Sequence, residues 1–247
     1  MKRVEKSAEP QSLADFRTAY PDGTWEQMRN DALHNGQQAY ADCRSHTSED
    51  QRGLCAYCEI GLKKDQPHKC RVEHIHPKSD NSSGHNWHLD WQNLLSVCNG
   101  GETEGCAETP RPDNLSCDAH KKDSQIAVSP LDIPAFPNVF AFDKANWHLH
   151  ADPAACALAG LDAGLLEQSI KTLNLNCHRL ARLRRTVLNE INHRKKQLRT
   201  KGYTPNNAAP ILASGLFQTQ WPEFFTTIRC CLGPDAEEYL RSINYKG

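Results

Sequence analysis

Residues 71–79 read RVEHIHPKS. Val72 and Ile75 suggest a short strand that ends at Pro77, since proline cannot donate to a strand ladder. Glu73 and His74 stand side by side in it. Neighbouring strand residues face opposite ways, so the two can meet one metal ion only if the strand twists or bulges at its end, next to Pro77. Cysteines flank this stretch. CAYC at 55–58 lies upstream, and Cys98, Cys106 and Cys117 lie downstream. Two intervening residues let a tight turn present Cys55 and Cys58 to one tetrahedral ion. Cys98 closes the apolar strand-like run Leu94 to Val97, and Cys117 sits where a helix can begin after Asn114 or Ser116. Cys55, Cys58, Cys98 and Cys117 are therefore the expected structural zinc ligands, with Cys106 as the alternative fourth. Cys43, Cys70, Cys156, Cys177, Cys230 and Cys231 are assigned no role.

Further residues of the same chemistry follow. DWQNLLSVC at 90–98 offers Asn93, and CDAHKK at 117–122 offers Asp118 and His120 near a helix start. Metal-assisted phosphodiester cleavage uses such residue types. The helix turns about 200° from position 118 to 120, so both cannot face one ion from a regular helix. No H-E-x-x-H occurs, so a zinc hydrolase of small molecules lacks its ligand set. A zinc ribbon that only binds nucleic acid or protein would explain the cysteines without using Glu73, His74 or Asn93.

The rest of the chain sets the context. At 247 residues it is long enough to bury a core of its own. Mean hydropathy of -0.70 describes a polar protein, and no apolar run approaches the roughly 20 residues that span a bilayer. MKRVEKSAEP at the start has positive charges but no apolar stretch after them, which is not the pattern of a secretory signal. A cytoplasmic location without membrane contact is expected. Eleven cysteines, an odd number, favour metal binding over a closed disulfide framework.

Three segments are expected. Residues 1–52 read as helical, with Leu13, Phe16 and Tyr20 at helix-like spacing and Thr24 capping a second helix from Trp25 towards Arg44. Residues 53–128 hold the cysteines and histidines. Residues 129–247 open with SPLDIPAFPNVFAF, whose prolines forbid a regular helix, and then turn helical. Leu180, Leu183, Val187, Ile191 and Leu198 form one stripe of a helix over 178–201. Its other face carries nine cations, Arg179, Arg182, Arg184, Arg185, Arg194, Lys195, Lys196, Arg199 and Lys201, against the single acid Glu190. Arg182, Arg185 and Lys196 are singled out there as nucleic-acid contacts, the alternative being a solvated helix face. Short helices are expected in AAPILASGLF and EFFTTIRCCL. The class is α+β, mainly α-helical.

Cys-x-x-Cys, an acid-His-Ile-x-Pro run, Asn-Leu-Leu, then Cys with polar residues and lysines resembles the ββα-metal motif of HNH endonucleases over about 70 residues. CAYCE, EHIHPKS, DWQNLLSVCNG, CDAHKK and the downstream LNLNCHRLARLR are similar to HNH proteins of retron and Septu-type antiphage systems, of the PtuB kind. The resemblance implies a zinc-stabilised ββα-metal core flanked by helical regions. It implies His74 as general base, Glu73 as ligand of a catalytic Mg²⁺ or Mn²⁺, and Asn93 holding the loop that orients His74. The motif's histidine after the last cysteine is replaced here by Asp118, in register three residues before Lys121, with His120 as competitor. His76, on the same strand face as His74, is the alternative base. Lys121 and Lys122 would lie near substrate phosphates or form a solvated face. The implied activity is cleavage of DNA or RNA by a toxic effector of antiphage defence. The implied partners are a PtuA-like ATPase and a retron reverse transcriptase with its RNA and DNA.

Overall fold

A computed structural model describes residues 1–62, 69–80, 82–102, 112–218 and 221–247, and among them the fold is mixed α+β. The alternative ligand Cys106 lies outside the described residues. The chain opens with α1 (Gln11–Ala19), α2 (Trp25–Asn30) and α3 (Gly36–Asp50). Leu13 and Phe16 on α1, Trp25 and Met28 on α2, and Ala39 and Cys43 on α3 bury one apolar cluster together with Leu89, Trp91 and Leu94. Thr24 caps α2 with a full capping box, its hydroxyl accepting from Gln27 N–H while the Gln27 side chain accepts from Thr24 N–H.

The helix expected to run from Trp25 towards Arg44 is in fact two. Asp31 stops α2 by accepting hydrogen bonds from the backbone N–H groups of Leu33, His34 and Gly36, which competes with helix continuation. Asn35 then adopts φ 62° and starts α3 on a new axis. Gly36 is needed here, because a Cβ would lie 2.5 Å from the Met28 carbonyl oxygen.

The centre is a two-stranded antiparallel sheet of β1 (Cys70–His74) and β2 (Leu94–Cys98), with Cys70 opposite Cys98 and His74 opposite Leu94. All five residues of β2 are buried, because α3 covers one face and α4 (Cys117–Lys121) packs near the other. A second hairpin, β3 (Phe140–Asp143) with β4 (His148–Ala151), follows the proline-rich connector. The sequence reading did not include it.

Six further helices complete the chain: α5 (Pro153–Leu158), α6 (Ala163–Thr172), α7 (His178–Thr200), α8 (Pro205–Phe217), α9 (Phe225–Leu232) and α10 (Pro234–Ser242). On α7 the expected stripe is the packed face, with Leu180 and Ile191 buried and Leu183, Val187 and Leu198 half-buried against the core. Three of the nine cations do not belong to its solvent face, among them the half-buried Lys195, which donates to the Cys231 carbonyl. Arg184 stands four residues after Leu180, so it shares the inward stripe and is only 1% exposed, donating to Asn176 Oδ1. Burial pushes its guanidinium down to about 10. Arg179 reaches the Ser116 hydroxyl at 2.7 Å. No helix among the described residues is long and apolar enough to cross a membrane.

Candidate active site

Four sulfurs meet beneath the central hairpin. Cys55 and Cys58 come from a tight knuckle closed by the Leu54–Gly61 bridge and by Cys55 N–H donating to the Ile60 carbonyl. Ala56 N–H donates to Ser96 O, which docks the knuckle on β2. Cys98 ends β2 and Cys117 begins α4. Their Sγ atoms lie within 4.8 Å of one another, with Cys58 to Cys98 at 3.6 Å and Cys117 to Cys55 and to Cys98 at 3.8 Å. A tetrahedral thiolate site with metal–sulfur bonds of about 2.3 Å has edges of about 3.8 Å, so the four donors fit a metal such as zinc. All four are buried, which leaves no open coordination position. Burial raises the Cys55 thiol, but hydrogen bonds from Cys117, Cys58 and Cys98 outweigh it and hold Cys55 well below the usual thiol range. Burial pushes Cys117 well above it.

The segment carrying Cys117 is braced by the LNLN stretch ahead of α7. Asn174 donates to the carbonyls of Asp113 and Leu115, Cys117 N–H donates to Leu173 O, and Ser116 N–H donates to Gly100 O. Gly100 has φ 66°, and a Cβ on it would fall 2.1 Å from Ser116 O, so only glycine allows this approach.

At the end of β1, Glu73 and His74 both line an open cleft of about 530 Å³. Glu73 is 6% exposed. Burial first, and then the negative charge of the neighbouring Asp118, push its carboxyl up to about 8, while Lys121 opposes them. Lys121 is 2% exposed, and its Nζ lies 2.7 Å from Glu73 Oε1 but outside hydrogen-bond geometry, which leaves that oxygen without a directed donor. The same ammonium donates to the carbonyls of His74 and Lys122. The sequence offered Lys121 as a phosphate contact or a solvated face, and it is no solvated face: it is a buried tie between α4 and the end of β1 at the cleft.

His74 is held in one orientation. Its Nε2 lies 3.1 Å from the His88 carbonyl, which can only accept, so Nε2 carries the hydrogen and Nδ1 keeps its lone pair. The ring packs edge-on to Trp25 at 5.2 Å. Burial draws its pKa down to about 4, so it is neutral through the physiological range. The His88 side chain accepts from Trp25 N–H and fixes the carbonyl that holds His74. Sequence reasoning treated His88 as an ordinary loop histidine, and a carbonyl's role leaves no residue-type signal.

Asn93 is buried and clamps the loop after β1. Its Oδ1 accepts from His76 N–H at 2.7 Å, and its Nδ2 donates to the carbonyls of His76 and Trp87. Asp118 joins Glu73 at the cleft and accepts from Arg71 at 3.1 Å. His120 turns away, exposed, with Nδ1 2.9 Å from the Thr172 carbonyl. His76 is stacked on Trp87 and paired with Asp80, and it does not line the cleft. Arg182, Arg185 and Lys196 are exposed on α7 and do not line the cleft either, Arg185 lying over Trp147.

The chemistry of this arrangement is specific. Two carboxylates in a buried, partly open setting are hard donors suited to a divalent cation, and a neutral imidazole with a free Nδ1 beside them can accept a proton. No family model matches the chain. It is 36% identical over 221 aligned residues, covering 81% of this chain and 84% of the relative, to an Escherichia coli protein named "Retron Ec83 putative HNH endonuclease".

Proposed function

We propose a function from the premise that this chain belongs to the HNH endonuclease family: it hydrolyses phosphodiester bonds of nucleic acid in the Glu73–His74 cleft. β1, β2 and α4 are the ββα-metal core of that enzyme, and the four cysteines hold a structural Zn²⁺ beneath it. The observation that carries this reading is the fixed, neutral His74 beside a carboxylate pair.

Glu73 and Asp118 would hold Mg²⁺ or Mn²⁺, which when bound supplies Lewis acidity to the phosphate and the departing 3′ oxygen. His74 Nδ1 takes the proton of the attacking water, and the His88 carbonyl steadies the imidazolium that forms by accepting from Nε2. Asn93 acts at one remove, since it fixes the backbone of His76 and Trp87 and so the loop that delivers the His88 carbonyl. Lys121 ties the His74 carbonyl to α4 and keeps Glu73 and His74 in a fixed relation.

In the cell this nuclease serves as the toxic effector of an antiphage system of the retron or Septu type, restrained by a PtuA-like ATPase and associated with a retron's reverse transcriptase and nucleic acid. The exposed cations Arg182, Arg185 and Lys196 form a second basic edge, for phosphates or for such a partner. The test is purified protein, with and without that ATPase, incubated with plasmid DNA and with total RNA in Mg²⁺ or Mn²⁺. Cleavage of one substrate that falls about 10²–10⁴-fold in His74→Ala is expected. Undiminished cleavage by His74→Ala would leave a metal-stabilised binding module as the better account.

A further inference from the structure

The charges around the Glu73 cleft are mostly spoken for. Lys78 is paired with Glu26, Arg71 with Asp118 and Glu102, and Lys121 with Glu73. Two arginines on the same wall are not. Arg29 on α2 and Arg44 on α3 line the cleft, and neither has a carboxylate partner among the described residues. Both guanidiniums lie over the ring of Tyr40, at 5.7 and 5.8 Å from its centre, and the Trp25 ring packs against Tyr40 at 5.2 Å. Tyr40 therefore sets the position of two cations that no carboxylate among the described residues neutralises.

The wall also has length. A second cleft of about 350 Å³ shares Tyr40, Arg44, Cys70, Arg71 and Val72 with the first, so one trough runs from Glu73 along β1 and past Arg44. β1 rises roughly 3.3 Å per residue, which puts Cys70, beside Arg44, about 10 Å from Glu73. That is a distance of a few backbone phosphates rather than of a distant surface. A guanidinium fork matches a phosphodiester and binds it in two places, and one held against an aromatic ring loses less freedom when it does so.

We infer that α2 and α3 form the substrate wall of this protein, with Arg29 and Arg44 gripping the sugar–phosphate backbone of the strand being cut. The inference rests on the nuclease reading of the cleft. The contact carries no base readout, because the ring between the two arginines is already engaged by them, and phosphate contacts set register without reading sequence. Arg29 and Arg44 are substrate-positioning residues, separate from the proton-transfer group His74.

The experiment uses the full chain carrying His74→Ala, so that binding is read without cutting. Fluorescein-labelled duplex DNA and single-stranded RNA are the probes, and anisotropy is measured over a salt series. Adding Arg29→Ala with Arg44→Ala is expected to weaken binding of the better probe at least tenfold. The slope of log affinity against log salt should fall by about two contacts' worth, roughly 0.7–0.9 each. Arg44→Lys, which keeps the charge and loses the fork, should recover part of the affinity relative to Arg44→Ala. Melting temperature and zinc content serve as the folding control, Arg29 being exposed and Arg44 half-buried. Unchanged affinity and salt slope in the double variant overturn the inference, as does failure of the parent to bind either probe. The nuclease reading fails on a different result, cleavage that survives His74→Ala, so the two can fall separately.

Discussion

One hairpin carries two clusters of residues of metal-ligating type, and they are built on opposite terms. In one, four soft donors are packed at tetrahedral edge lengths, buried, with no open position. In the other, Glu73 and Asp118 are hard donors at an open cleft, and burial and its neighbour's charge push the Glu73 carboxyl up to about 8. The first set is satisfied by one ion and nothing else. The second is open and lies between the charges of Lys121 and Arg71, and it is the setting we propose for an exchangeable cation whose remaining positions take substrate and water.

Removing a ligand from the closed set should have the largest effect. Structural zinc can contribute about 10–16 kcal/mol of folding free energy, so Cys58→Ser should lose both its bound zinc and its near-UV circular dichroism. A Cys58→Ser chain that still folds and still carries one zinc would break the contrast at its first member.

Lys121 tests the second set. Lys121→Met removes the only ammonium beside Glu73 among the described residues, and stranding one member of a buried ion pair costs about 3–5 kcal/mol when the other is charged. The carboxyl of Glu73 is raised to about 8, so below that pH a proton can stand in for the ammonium, and above it nothing can. The denaturation midpoint of the variant should therefore fall behind that of the parent increasingly as pH rises through 8. A deficit that is the same at pH 6 and pH 9 would show that Lys121 acts only through the two carbonyls it binds.

The smallest expected effect concerns the cation itself. A folded-state pKa raised from 4.5 to about 8 means that, without the ion, Glu73 favours the fold below 4.5 and loses that advantage as pH rises through 8. A cation competes with that proton. Apparent Mn²⁺ affinity by calorimetry should thus weaken up to about tenfold per unit as pH falls below 8, a proton being released on binding. His74 adds no step near 6.5, because burial keeps it neutral down to about 4. Affinity independent of pH between 6 and 8 would remove the exchangeable site from Glu73.

What could be read from the sequence was what spacing encodes. Cys-x-x-Cys at 55–58 announces its own geometry, and the Thr24 cap and the stripe of α7 follow from local rules that the fold obeys. Three things could not be read so. The break between α2 and α3 depends on Asp31 capturing three backbone N–H groups, a choice that the apolar pattern does not register. Arg184 and Lys121 look like surface cations because charge is the usual mark of a surface, yet each fills a buried position, Arg184 beside Asn176 and Lys121 beside the distant Glu73. The arginines of the cleft wall lie 29 and 44 residues below Glu73, with nothing local to join them to it. Within the candidate site, residue types suggested the chemistry of Glu73, His74 and Asn93, whereas the carbonyl of His88 is visible only in three dimensions.

Cys55 and Cys117 stand 62 residues apart, and Asp118 follows Cys117 directly. During synthesis at about 5–20 residues per second, the knuckle and the strand bearing Glu73 emerge seconds before the last sulfur does. Only when Cys117 closes the frame does α4 bring Asp118 and Lys121 against Glu73. Closure of the sulfur frame and assembly of the cleft are therefore one folding event, which waits on residues 117–121.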